Sequence, residues 1–113
     1  MPDGFVKVRK GEKRPLYGQA TMASGTLTVV GFPVPTLTLF DGNGVVVSGL
    51  NGVAAAGYDA GALSAPRVWY VLDTATLAPG FYTGVFQFTA SGSDGITRVY
   101  APSVAIQVLE VTA

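Results

Sequence analysis

Five cations, Lys7, Arg9, Lys10, Lys13 and Arg14, fall within the eight-residue run KVRKGEKR. Positive charge at that density can contact phosphate oxygens, which demands charge and little else. It can also dock, as an arm, on an acidic patch of a neighbouring subunit. A solvated tail fits the same residues. Only Phe5 and Tyr17 flank the run, so it lacks the aromatic platform on which single-stranded bases stack, and nucleic acid is the weakest reading. The rest of the chain offers little chemistry. With no His and no Cys, it has neither imidazole nor thiolate for acid–base work, nucleophilic attack or zinc binding. Ser24, Ser48, Ser64, Ser91, Ser93 and Ser103 have only lysine as a conceivable base. Asp59, Asp73 and Asp94 are scattered, whereas glycoside hydrolysis needs two acids flanking a cleft. Asp41-Gly42-Asn43-Gly44 opens like a calcium loop, but VVVSG follows where more oxygen ligands and a closing Glu are required. Both DGNG and GSDG, residues 92–95, read as hairpin turns. No catalytic, metal-ligating or cofactor-binding residue is assigned, and an enzyme is not expected.

These residues must be positioned by a chain of 113 residues, enough for one domain with one core. Only 12% of residues are charged against 49% hydrophobic, which leaves an exterior of Gly, Ser, Thr and Ala suited to burial in an assembly. The formal charge of zero is uneven: residues 1–15 hold five cations against Asp3 and Glu12, and the remainder holds Arg67 and Arg98 against five acids. No stretch approaches the roughly 20 continuous apolar residues of a membrane helix. The N-terminus has no apolar core behind its basic residues and does not read as a signal peptide.

Helix is nearly excluded, because 15 Gly and 7 Pro interrupt every long window and apolar residues seldom recur at helical intervals. Strands are expected instead. FVKVRK alternates briefly, LYGQATM reads as an edge strand weakened by Gly18, and GTLTVVG alternates Leu27 and Val29 with threonines. PTLTLFDGNGVVVSG reads as a hairpin, with Pro33 and Pro35 ahead of its first strand and Val45–Val47 restarting the second. Residues 51–66 read as a small-residue loop, with a helical turn near Val53–Ala56 as an option. RVWYVLD is apolar on both faces, as a central or covered strand would be. In ITRVYAPSVAIQVLEV, Pro102 marks a change of strand partner or edge character. Between these lies TLAPGFYTGVFQF. Pro79-Gly80 forms a turn, and Tyr82, Phe86 and Phe88 share one parity with Gly84, whose missing side chain leaves space for a neighbour across the sheets. Phe81 falls on the other parity, free to face a partner.

LAPGFY resembles the corner that precedes strand F in immunoglobulin-like and fibronectin type III-like domains. That resemblance implies that Leu77 plugs the core and that the Tyr82 hydroxyl bonds back to the corner backbone. Over residues 26–111, the order TLTLFDGNGVVV, VWYVLDTATLAPGFYTGVFQF, a DG hairpin and IQVLEV is similar to small β-sandwich proteins and modules of tailed-bacteriophage virions. The fold expected is an all-β, immunoglobulin-like Greek-key sandwich of about seven strands, with residues 1–15 as a basic arm and 16–113 as one domain. The function implied is structural assembly in a virion, as an accessory, adaptor or decoration component that forms homo-oligomers and meets other virion structural proteins. Partner contacts are expected at Lys7, Arg9, Lys10, Lys13, Arg14, Trp69 and Phe81. The alternative is a carbohydrate- or receptor-binding module at a bacterial surface or secreted, with a glycan as ligand. An exposed row of aromatics beside residues 51–66 would favour it.

Overall fold

The computed structural model describes residues 5–21, 24–32 and 34–110. The first four residues of the expected arm, Met22 of the expected edge strand, Pro33 and Val111 lie outside them. The described chain is all-β. Its strands are β1 (Phe5–Arg9), β2 (Lys13–Gln19), β3 (Leu27–Val29), β4 (Thr36–Asp41), β5 (Val53–Ala54), β6 (Gly57–Tyr58), β7 (Ala62–Leu63), β8 (Arg67–Asp73), β9 (Gly80–Gly92), β10 (Thr97–Tyr100) and β11 (Ser103–Leu109).

Two sheets result. The larger is organised on β9, whose 13 residues span about 43 Å at about 3.3 Å each. The first half of β9 lies between β11 and β4, both antiparallel to it, while β1 extends the sheet by pairing parallel to β11. Its second half pairs with β10 on one side and β3 on the other, and β7 follows β3. The smaller sheet runs β2-β8-β6.

Period-two alternation makes the core. β4 turns Leu37 and Leu39 inward, β8 turns Val68 and Leu72, β9 turns Phe86, Phe88 and Ala90, and β11 turns Val104, Ile106 and Val108. Leu16 of β2 joins the same cluster, so both sheets bury their inner faces against one another. One tight approach is at Gly18, where a Cβ would stand 2.7 Å from Phe86 Cδ2 and 2.9 Å from Pro102 Cγ. Despite Gly18, β2 pairs with β8 throughout. The glycine admits the Phe86 ring. The atoms nearest the space left by Gly84 come from its own sheet, with Leu37 Cδ1 and Val104 Cγ1 at 3.3 Å from a hypothetical Cβ.

Several expectations need correction. Over residues 5–15 the basic run is no arm: β1 is built into the large sheet and β2 into the small one. A short alternating run cut by Gly11 carries little periodic signal, and the parallel pairing that holds β1 is a contact 100 residues away. Residues 51–66 contribute the two-residue strands β5, β6 and β7, with β5 where a helical turn was an option, because each borrows backbone partners from β4, β8 or β3. Val45–Val47 return beside β4 through a single bridge, Phe40 with Val46, and not as a full strand. Pro102 interrupts a strand without changing its partner, since β10 and β11 flank the same side of β9 and Phe86 N–H donates to the Pro102 carbonyl at 2.9 Å.

The corner before β9 has the expected bond: Tyr82 Oη donates to the Ala78 carbonyl at 2.6 Å, Leu77 is buried beneath it, and Gly80 adopts φ of 148°. Tyr82→Phe is expected to destabilise by about 0.5–2 kcal/mol, because one net hydrogen bond is lost at constant shape. Chemical denaturation checks it, and unchanged stability would show that the hydroxyl does not hold the corner.

Candidate binding surfaces

The five cations of the basic run do not form one patch. Alternation sends Lys7 and Arg9 of β1 to the outer side of the large sheet, beside their register partners Gln107 and Leu109. Lys13 of β2 faces the outer side of the small sheet opposite Asp73, and Arg14 is exposed at the end of the strand. Lys10 is committed internally, its Nζ donating to the Leu77 carbonyl at 2.7 Å. The turn that carries it is pinned by Thr74, which is fully buried. Thr74 Oγ1 accepts from Gly11 N–H at 2.9 Å and donates to the Glu12 carbonyl at 2.7 Å. Glu12 in turn accepts the Arg9 N–H at 2.7 Å.

The other acids are engaged separately. Asp41 Oδ1 accepts the N–H groups of Asn43 and Val45 and shapes the DGNG turn, while Asp73 accepts that of Ala75. Asp94 closes the β9–β10 turn through Ile96 N–H and pairs with Arg98 at 2.7 Å. The hydrogen bond from Arg98, helped by that of Ile96, holds the Asp94 carboxyl below the usual range, and the same pairing raises Arg98. Among the described residues, no three metal-ligating side chains converge. The grooves are open: one of about 510 Å³ runs between Leu50 and Tyr70 past Asp73, whose carboxylate already caps the following turn.

Phe81 stands on the outer face of the large sheet and is 61% exposed, as its parity requires. Its face is unusual in composition. The outward residues of β4, β9 and β11 include Phe40, Thr83, Val85, Gln87, Ala105 and Gln107, and none of the outward positions on these three strands carries a charge. On β1 the same side carries Phe5, 55% exposed, and then Lys7 and Arg9, so charge begins at that edge of the face.

Trp69 lies on the opposite side of the molecule, on the outer face of the small sheet. Its cross-strand neighbour is Tyr17, with ring centroids 6.4 Å apart and planes tilted by 54°. On its other side is Gly57, where a Cβ would meet indole Cζ2 at 2.7 Å and Cε2 at 3.0 Å. The next row holds Arg67, whose guanidinium sits 5.0 Å over the Tyr17 ring and pairs with Asp59 at 3.2 Å. Sequence reasoning singled out Trp69 but neither Tyr17 nor Gly57. The register that aligns the three is set by long-range pairing, and the one local hint is a tyrosine at an outward position of an edge strand.

No protein-family model and no curated protein matches the sequence. A solved structure does: a family 123 glycoside hydrolase from Clostridium perfringens, whose analysis concerned glycolipid glycan hydrolysis, superposes with a TM-score of 0.53 at 13% identity. The superposition covers 96% of this chain and 23% of that one, so this chain spans less than a quarter of the enzyme's length, and the likeness is one of fold.

Proposed function

We propose that this chain is an immunoglobulin-like Greek-key sandwich that works as a non-catalytic assembly module, a bacteriophage virion accessory, adaptor or decoration component that forms homo-oligomers. The fold reading is supported by strand order. A parallel first strand beside the last one, with β1-β11-β9-β4-β5 adjacent in the larger sheet and β2-β8-β6 in the smaller, is an order that this reading accommodates. The bond from Tyr82 to Ala78 agrees with it. β3, β7 and β10 then form an extension built on the overlong β9.

The observation that carries the assembly reading is the uncharged outer face of β4, β9 and β11. A sheet face kept in water is normally studded with lysines and glutamates, which keep it soluble and discourage association. Here threonine, glutamine, valine and phenylalanine present a surface that loses little on desolvation and gains on burial. The engaged acids support the absence of hydrolysis, since Asp59, Asp73 and Asp94 sit on separate elements, each tied to a backbone N–H or an arginine. The virion assignment rests on the sequence resemblance and is checked by mass spectrometry of purified phage particles, in which the chain should appear.

Sedimentation velocity tests the assembly. The wild-type chain is expected to form a discrete oligomer at about 0.1–1 mM, with an interface of at least about 1,000 Å². Val85→Lys, half-buried and central on the uncharged face, is expected to give a monomer with stability changed by no more than about 1 kcal/mol, the span of strand preference in a host sheet. A wild-type monomer throughout that range would overturn the proposal.

A further inference from the structure

The outer face of the small sheet is a second surface, separate from the one assigned to assembly. We propose that it is a binding site for a neutral saccharide, with Trp69 as its stacking platform. The local build is specific. β6 places Gly57 directly beneath the indole, so the ring lies against backbone where any side chain would push it off, and Trp69 remains partly exposed. Tyr17, tilted by 54° beside it, makes a side wall. Arg67 covers the Tyr17 ring at 5.0 Å and is itself held by two contacts to Asp59 Oδ2, from its backbone N–H at 3.1 Å and from Nε at 3.2 Å. A platform and wall are thus fixed by packing and pairing and do not have to be ordered by the ligand.

The chemistry selects the ligand. A pyranose has an apolar C–H face, which suits the electron-rich indole face, and a rim of hydroxyls that need donors and acceptors. Residues two apart on a strand are about 6.5–7 Å distant, so the row beside Trp69 lies within reach of the rim of a ring stacked on it. That row carries Gln19, Arg67 and Asp59, an amide, a guanidinium and a carboxylate, which together donate and accept. Asp59 already balances Arg67, so the row offers polarity without net charge. An anionic sugar or a phosphate would meet no surplus cation in this row, and a purely apolar partner would desolvate the Asp59–Arg67 pair and the Gln19 amide, whose Nε2 donates to the Ala65 carbonyl at 3.2 Å, with nothing in return.

Trp69 is the sole tryptophan of the chain, so its fluorescence reports the site directly. The probes are oligosaccharides of glucose, N-acetylglucosamine, mannose and galactose, with sialylated and sulfated counterparts. A saturable change in emission is expected with at least one neutral probe below about 10 mM. By calorimetry, Trp69→Ala and Tyr17→Ala are each expected to weaken that binding by at least about tenfold, with Asp59→Asn and Gln19→Ala weakening it less. Tyr17, 47% exposed on an edge strand, keeps the test valid if removal of the indole disturbs folding. No response to any neutral probe, preference for the anionic ones, or binding that survives Tyr17→Ala would each overturn the proposal. None of these outcomes touches the assembly reading, which concerns the other sheet.

Discussion

Gly18→Val is expected to destabilise the protein by about 3 kcal/mol, at the upper end of the cost of forcing extra carbon into a packed core. Two effects oppose each other at this position. Valine favours a strand over glycine by about 1 kcal/mol or less, and Gly18 sits in a β2 conformation that side-chain-bearing residues can adopt. Against that gain, the first carbon alone would lie 2.7 Å from Phe86 Cδ2 and 2.9 Å from Pro102 Cγ. The ring is fully buried and Pro102 is a rigid cycle, so neither neighbour is the free end of a flexible chain. Steric cost therefore wins. The diagnostic measurement is a double-mutant cycle by urea denaturation. Phe86→Leu removes the ring atoms that Gly18 admits, and Gly18→Ala should cost at least about 1 kcal/mol less in that background. Additive effects would mean that the sheets do not close on each other at this point.

Thr74→Val is expected to cost about 1–3 kcal/mol, although it preserves shape and removes only a hydroxyl. The residue is fully buried, and its Oγ1 is the acceptor for Gly11 N–H while also donating to the Glu12 carbonyl. Glu12 retains the backbone N–H of Thr74 at 3.2 Å, so the principal orphan is the Gly11 amide. Thr74→Ser should restore most of the loss. Hydrogen exchange separates this mechanism from a general weakening. The Gly11 amide should lose protection selectively in the valine variant, before the β9 amides do. Uniform loss would place the defect elsewhere. The same contact explains why the basic run is no arm: Thr74 and the carbonyl of Leu77 clip its turn to the body beside the corner.

Much of this architecture is legible without coordinates where the signal is local. The burial of Phe86 and Phe88, the exposure of Phe81, and the turn chemistry of Asp41 and Asp94 all follow from alternation and from short-range hydrogen bonding. Tyr82 belongs with these, since its hydroxyl acts on a carbonyl four residues earlier. β1 is not legible, because five residues of alternation beside a dense run of charge look like a tail, and its partner β11 lies at the far end of the chain. Nor are β5, β6 and β7, because two residues cannot display a period.

By itself, then, the sequence determined which residues face inward on the long strands, where the chain turns, and which side chains are unavailable for catalysis. These depend on the stereochemistry of neighbouring residues, and every L-peptide obeys them. Only the tertiary structure decided what sits opposite what. Gly18 meets Phe86, Gly57 seats Trp69 next to Tyr17, and three strands far apart in sequence align a face without charge. Such pairings depend on sheet register and on the distance between layers. Those are set by the sum of many weak contacts across the whole core, and no single stretch of chain contains them.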